Sequence, residues 1–170
     1  LNIFSFGFAS GTTALISQYW GAKDSKNLSK TYGFALTISM LFSLIYALAL
    51  LFFPTHLIKL FTNSAEIAVL GAEYLRVYSL AVPFVVFSLV TAASFRAVES
   101  VTVPLISSAV GVVLNVIFNY FFIFGNFGFP ALGLKGAAIA SVIGMASQAL
   151  ILIIFLVCRR NPLRGTLTEM

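Results

Sequence analysis

Five long stretches without a charged side chain dominate this sequence and limit what it can fold into. They cover residues 1–22, 31–57, 77–95, 100–134 and 136–158. An α-helix rises about 1.5 Å per residue, so about 20 apolar residues cross the hydrocarbon core of a bilayer. Each stretch is close to that length or longer. The chain is therefore predicted to cross a membrane several times.

The composition supports the same class. Of the 170 residues, 60% are hydrophobic and only 9% are charged. A soluble domain carries roughly 25% charged residues, because its surface must be solvated by water. The net charge of +5 would suggest nucleic acid as a partner of a soluble protein. Here the basic residues lie between apolar stretches, so we expect a lipid bilayer and no nucleic acid as the partner.

The spans are predicted to be helices. Only helices and closed barrels satisfy all backbone hydrogen bonds in lipid, and barrel strands would alternate apolar and polar residues, which these stretches do not. The predicted fold is an all-α integral membrane bundle of about five transmembrane helices, with Pro83 kinking the third. The spans are expected at about 1–20, 31–53, 77–95, 103–124 and 136–158, followed by a basic tail at 159–170.

The distribution of basic residues predicts the orientation. With five spans, one side of the membrane receives Lys23, Lys26, Lys30, Arg96, Arg159, Arg160 and Arg164, and the other receives Lys59, Arg76 and Lys135. The positive-inside rule places the more basic side in the cytoplasm. We therefore expect a multi-pass protein of the cell membrane with loop 21–30 and the tail cytoplasmic. Its N-terminus then lies outside, which predicts a fragment that lacks an upstream span.

Small residues recur every four positions in the first and fifth spans. Gly7 and Gly11 form one such face, and Gly136, Ala140 and Gly144 form the other. Small residues at this spacing let helix backbones approach closely in lipid. Both faces are predicted to serve helix packing rather than substrate binding.

The fourth span carries the more informative face, on which Ser107, Gly111, Asn115 and Asn119 are each four residues apart. Two amides inside a membrane helix need partners. Interhelical hydrogen bonds would provide them at about 0.6–2 kcal/mol per contact. A hydrated cavity, where amide oxygens meet a cation or a polar substrate, is the functional alternative. The residues alone leave both readings open.

The remaining polar residues do not suggest an enzyme. One His and one Cys cannot form a metal site, a disulfide framework or a catalytic His/Cys pair. Glu73 with Arg76, and Arg96 with Glu99, are spaced as surface ion pairs on a helix. No metal and no organic cofactor is expected.

The order and spacing of several motifs resemble the multidrug and toxic compound extrusion (MATE) family of transporters. The resemblance begins with GTTALISQYWGAKD at 11–24 and continues with EYLR at 73–76 and FRA at 95–97, followed by Pro104. Its most specific part is LNVIFNYFFIFG at 114–125, followed by GLKGAAIAS at 133–141. Family members have twelve helices in two lobes, so this chain is similar to helices two to six of the N-terminal lobe.

The resemblance implies a secondary active transporter that exports cationic or amphipathic drugs and toxins by H⁺- or Na⁺-coupled antiport with alternating access. It implies Asn115, Asn119 and Ser141 as candidates for a cation or substrate cavity. Asn119 stands where the family often has Asp, and an amide cannot take up a proton at physiological pH. The implied partners are a small organic cation, the missing first helix and the missing C-terminal lobe.

Two other functions remain open. A lipid or polysaccharide flippase of the same superfamily would favour a more basic central cavity, and the fourth-span face contains no cation. A non-transporting membrane fragment would explain each small-residue face by packing alone. The two buried asparagines are the main feature against that second alternative.

Overall fold

The computed structural model describes residues 2–62, 64–125, 130–158 and 163. All regular secondary structure in these residues is helical. The helices are α1 (Asn2–Gly21), α2 (Ser25–Phe52), α3 (Pro54–Lys59), α4 (Ala65–Tyr78), α5 (Val82–Ala97), α6 (Thr102–Phe124) and α7 (Leu134–Cys158), with a 3₁₀ turn at Ser79–Ala81. The chain is an all-α membrane bundle, as the sequence predicts.

Among the described residues, four helical segments are long and apolar enough to cross a membrane: Ser25–Phe52, Ala65–Ala97, Thr102–Phe124 and Leu134–Cys158. The first predicted span, α1, is a helix of 20 residues but is not one of these four. Its serines, threonines, Gln18 and Asn2 lower its hydropathy. Of the five predicted spans, four are thus apolar enough in the described residues to cross a membrane, and α1 is a more polar helix packed beside α2 and α5.

The helix α2 begins earlier than predicted. The predicted loop 21–30 is mostly helical, and only residues 22–24 separate α1 from α2. Asp24 caps α2, because its carboxylate accepts hydrogen bonds from the backbone N–H of Asn27 at 3.1 Å and from its Nδ2 at 2.6 Å. The backbone hydrogen bond from Asn27 is the main reason that the pKa of Asp24 lies below its usual value.

The third span also differs from its prediction, since the helical segment runs from Ala65 to Ala97 rather than over 77–95. At 33 residues it would be about 50 Å long if straight, which exceeds the hydrocarbon core of about 30 Å. Its charged N-terminal part therefore extends beyond the core. The predicted break near Pro83 is present as the 3₁₀ turn at Ser79–Ala81, because Pro83 has no N–H for the Ser79 carbonyl and its ring crowds that carbonyl.

One end of the bundle is tightly packed. A buried cluster joins the C-terminal ends of α1, α5 and α7 to the N-terminal ends of α2 and α6, and its members are Ile16, Leu28, Tyr32, Phe95, Ala97, Val98, Val103, Leu152, Leu156 and Leu163. Inside it the Tyr32 hydroxyl and the Thr91 hydroxyl are hydrogen-bonded at 3.0 Å. Lys23, in the connection between α1 and α2, and Arg96, in the last turn of α5, therefore lie at the same end. Of the predicted basic tail, only Leu163 belongs to the described residues.

We predict that this packed end faces the cytoplasm. In a Cys158→Ser background, an impermeant thiol reagent added to intact cells should label Ser64→Cys, which is exposed beyond α3, and should not label Lys26→Cys. Permeabilised cells should label both positions. Labelling of Lys26→Cys but not Ser64→Cys in intact cells would show the opposite orientation.

Candidate polar cavity between α4, α6 and α7

The helices α6 and α7 cross with their backbones nearly in contact. A Cβ atom added to Gly144 would lie 2.8 Å from the Gly111 carbonyl oxygen and 2.9 Å from the Asn115 Cβ. A Cβ atom added to Gly111 would lie 3.0 Å from the Gly144 carbonyl oxygen. Real Cβ atoms rarely approach other atoms so closely, so these two glycines set the separation of the helices.

The predicted small-residue face of α7 lies along this crossing. Gly136 faces the backbone of Phe122, where an added Cβ would clash with the carbonyl group. One turn further on, Ala140 is fully buried. Gly136, Ala140 and Gly144 thus occupy the positions at which α7 meets α6.

The small-residue face of α1 behaves differently. A Cβ added to Gly7 or Gly11 would meet no atom within 4 Å, and both glycines are exposed. The helix α1 instead buries Ala9, Thr12 and Ile16. Within the described residues, Gly7 and Gly11 thus lie on a different face of α1 from the buried side chains, and their role in helix packing stays a prediction.

The close crossing aligns a directed chain of hydrogen bonds. Asn119 Nδ2 donates to Asn115 Oδ1 at 3.0 Å, and Asn115 Nδ2 donates to the Ser141 hydroxyl oxygen at 3.5 Å. The Ser141 hydroxyl in turn donates to the Ala137 carbonyl at 3.0 Å. The structure therefore brings together the three residues that the sequence singled out, although they lie on two helices and are up to 26 positions apart.

The chain of hydrogen bonds leaves one acceptor without a donor. Asn119 Oδ1 is buried and has no hydrogen-bond partner among the described residues. Burying an amide oxygen without a donor costs about 1–3 kcal/mol. The position is thus suited to a water molecule, a cation or a donor from another group.

A cavity of about 250 Å³ opens beside these residues. Its walls come from α4, α6 and α7, and the lining residues are Tyr74, Tyr78, Gly111, Val112, Asn115, Ser141, Gly144, Met145 and Gln148. Asn119 is not in the lining and instead holds the Asn115 amide in place. Water occupies about 30 Å³ per molecule, so the volume suits several waters, a partly hydrated cation or one ring of a ligand. Pockets that bind drug-sized ligands usually measure about 300–1,000 Å³.

The lining contains hydroxyl, amide, aromatic and thioether groups and no charged side chain. Within the described residues, no three His, Cys, Asp or Glu side chains lie close enough together to hold a metal ion. A cation in this cavity would be held by the neutral oxygens of Asn115, Ser141 and Gln148 and by the faces of the tyrosine rings.

Sequence reasoning missed part of this lining. Tyr74 and Tyr78 look like residues of an aromatic belt at the membrane surface, and Gln148 continues the packing face of α7. The structure stacks the two tyrosine rings with centroids 5.6 Å apart and an interplanar angle of 13°. Their spacing of four residues could have indicated a shared helix face, but not that this face meets Asn115.

An ion pair joins α4 to α7 near the cavity. Lys135 Nζ lies 3.2 Å from Glu73 Oε2, and both side chains are about half exposed. Glu73 precedes the cavity residue Tyr74, and Lys135 precedes the packed Gly136. The predicted pairing of Glu73 with Arg76 is therefore wrong, because the packing of α7 against α4 brings Lys135 to Glu73.

These features define a class: a helical membrane protein with an uncharged polar cavity between its spans. The sequence profile of the MatE family matches residues 1–121, and the chain belongs to that family. Among curated relatives, it is 30% identical to "Probable multidrug resistance protein YoeA" of Bacillus subtilis over 95% of this chain and 35% of that protein. It is 31% identical to "Probable multidrug resistance protein NorM" of Rhizobium meliloti over 82% of this chain and 30% of that protein.

Solved structures show the same fold. The structure titled "Crystal structure of MATE in the bent conformation" gives a TM-score of 0.88 at 23% identity over 98% of this chain and 36% of that one. An outward-facing multidrug resistance MATE family transporter of the MOP superfamily gives a TM-score of 0.86 at 23% identity over 97% of this chain and 36% of that one. The chain thus spans about a third of the length of the proteins it matches.

We predict that Gly144→Ala destabilises the protein by about 1–3 kcal/mol, because the new methyl group overpacks the crossing against Gly111 and Asn115. Gly11→Ala is the matched control. It adds the same group to a helix at a position with free space, so it should leave stability unchanged or raise it slightly. Thermal unfolding in detergent compares the two. Equal midpoints for Gly144→Ala and Gly11→Ala would contradict the close crossing.

Proposed function

We propose that the chain forms part of a multidrug efflux transporter that exports cationic or amphipathic compounds in exchange for inward movement of H⁺ or Na⁺. Membership of the MatE family and the names of the relatives support the transport of drugs. The main structural support for a role of this region in transport is the polar cavity lined by Asn115 and Ser141. Next to it lies a buried amide oxygen that lacks a hydrogen-bond donor.

The chemistry of the cavity favours coordination over proton storage. Amide and hydroxyl oxygens are suitable ligands for hard cations and for the water around them. Asn, Ser and Gln side chains do not titrate near neutral pH. In this proposal Asn115, Ser141 and Gln148 hold a cation or its hydration water. Any carboxylate that carries a proton belongs to a part of the transporter outside this cavity.

The rim of the cavity supplies a second recognition element. Tyr74 and Tyr78 present stacked rings beside the amide groups. A cationic ring system could place its charge over an aromatic face and its polar groups on Asn115 or Gln148. Because the volume is smaller than a typical drug pocket, we propose that the cavity binds one part of the exported compound.

A flippase function gains no support from this cavity. Anionic lipid or sugar-phosphate head groups would be stabilised by Lys or Arg in the lining, and the lining residues are all uncharged. The alternative of a protein without transport activity predicts that the asparagines only join α6 to α7. The variants described next distinguish that alternative from the transport proposal.

We predict that Asn115→Leu in the full-length transporter abolishes most efflux of a fluorescent organic cation while protein level is kept. The substitution removes the amide that lines the cavity but preserves the approximate volume. If the amide only joined the helices, its loss would cost about 1 kcal/mol of stability and leave transport largely intact. Ser147→Ala is the matched control, because Ser147 bonds to the Ile143 carbonyl of its own helix and does not line the cavity.

Asn119→Asp adds a pH readout to the same experiment. A carboxyl group at this position can take up and release a proton, which the parent amide cannot do. Efflux by this variant should therefore depend more steeply on pH near neutrality than efflux by the parent. Superimposable pH profiles for the parent, Asn115→Leu and Asn119→Asp at matched expression would refute a functional role for these residues.

A further inference from the structure

The connection between α1 and α2 has an unusual backbone that presents a lysine. Two hydrogen bonds close the end of α1, one from Lys23 N to Trp20 O at 3.0 Å and one from Asp24 N to Tyr19 O at 2.9 Å. This pattern is a Schellman motif, whose left-handed residue is usually glycine. Here that residue is Lys23, with φ of 57°. A side chain is therefore present where glycine would fit with less strain.

Lys23 lines a groove of about 430 Å³. The other lining residues are Tyr19, Trp20, Gly21, Ser25 and Leu28. Leu28 is fully buried and belongs to the packed end of the bundle, and Tyr19 packs against the same cluster. Trp20 remains 37% exposed. The groove thus has an apolar floor that includes aromatic side chains, with a partly exposed indole and an exposed lysine in its lining.

The net charge around the groove is positive. Lys23, Lys26 and Lys30 are all exposed, and none of them forms an ion pair among the described residues. Asp24 lies between them, but its carboxylate is held by Asn27 at the start of α2. It offsets part of the charge of Lys26 and leaves an excess of positive charge. Because Asp24 already caps the helix, an anion here would bind to lysine side chains rather than to the helix terminus.

We propose that this groove binds an anionic phospholipid, with the phosphate on Lys23 and the first segment of the acyl chains against Tyr19 and Trp20. The groove lies where a membrane span begins, at the level at which aromatic side chains contact head groups. Basic clusters at this level attract anionic lipids. A soluble anion would gain nothing from the apolar floor, whereas a lipid matches both the charge and the apolar surface.

The chain offers a built-in probe for this site, because Trp20 is its single tryptophan. Brominated acyl chains quench indole fluorescence on contact. The 170-residue chain should be reconstituted in bilayers of phosphatidylcholine that contain a small, equal fraction of either brominated phosphatidylglycerol or brominated phosphatidylcholine. We expect the quenching to show that brominated phosphatidylglycerol is enriched at Trp20 by about three- to fivefold. An enrichment of this size is expected from the attraction between one lysine and an anionic lipid surface. Equal quenching by the two lipids would overturn the proposal.

Substitutions at Lys23 separate binding from backbone strain. Lys23→Gly relaxes the left-handed backbone, so the variant should unfold at the same temperature or a higher one. Its lipid ratio, meaning the enrichment of brominated phosphatidylglycerol over brominated phosphatidylcholine at Trp20, should fall to about one. Lys23→Gln should lower the lipid ratio to about one in the same way, and Lys23→Arg should leave it at the value of the parent chain. Lys59→Ala is the control, since Lys59 is exposed on α3 and lies outside the groove.

Two further outcomes would also overturn the proposal. A ratio that survives in both Lys23→Gly and Lys23→Gln would show that the groove does not select the head group. Reversal of the enrichment by an excess of soluble glycerol phosphate would show that the site recognises a free anion instead of a lipid.

Discussion

The contact between the backbones of α6 and α7 determines where the polar groups of this protein lie. Gly111 and Gly144 allow the two helices to approach until each carbonyl oxygen almost fills the space of the other residue's missing side chain. At this separation the short side chains of Asn115 and Ser141 reach across the interface. With larger residues at the crossing, the helices would separate and the amide would have to find another partner in lipid.

The same contact explains why a cavity forms beside α4. The helix α7 packs on α6 through small residues, and it also packs against α4 and α5. The packed end, built around Phe95, Leu152 and Leu156, is filled with large apolar side chains. Toward the other end, hydroxyl and amide groups replace them, and they leave about 250 Å³ of open volume. One end of the bundle is thus suited to hold the helices together, and the other offers polar groups to a ligand.

The sequence predicted much of this arrangement and missed identifiable parts of it. Long uncharged stretches predicted α6 and α7 to within two residues, because lipid requires that the whole apolar segment be helical. The start of α2 was missed because the cap at Asp24 is a local hydrogen bond that hydropathy does not detect. The asparagines of α6 were identifiable from their spacing. Tyr74, Tyr78 and Gln148 were not, because their role depends on which helices become neighbours.

If the cavity is polar and hydrated, water and polar solutes reach the region around Ser141 inside the membrane. A small charged thiol reagent tests it in bilayers with Cys158 replaced by Ser, by comparing Ser141→Cys with Val113→Cys. Val113 is 56% exposed on α6 but does not line the cavity, so its thiol should face lipid and resist a charged reagent. We predict that Ser141→Cys reacts at least tenfold faster (on the order of a 1.4 kcal/mol difference in barrier) and that an organic cation slows the reaction. Equally slow reaction at both positions would show a dry packing contact instead of a polar cavity.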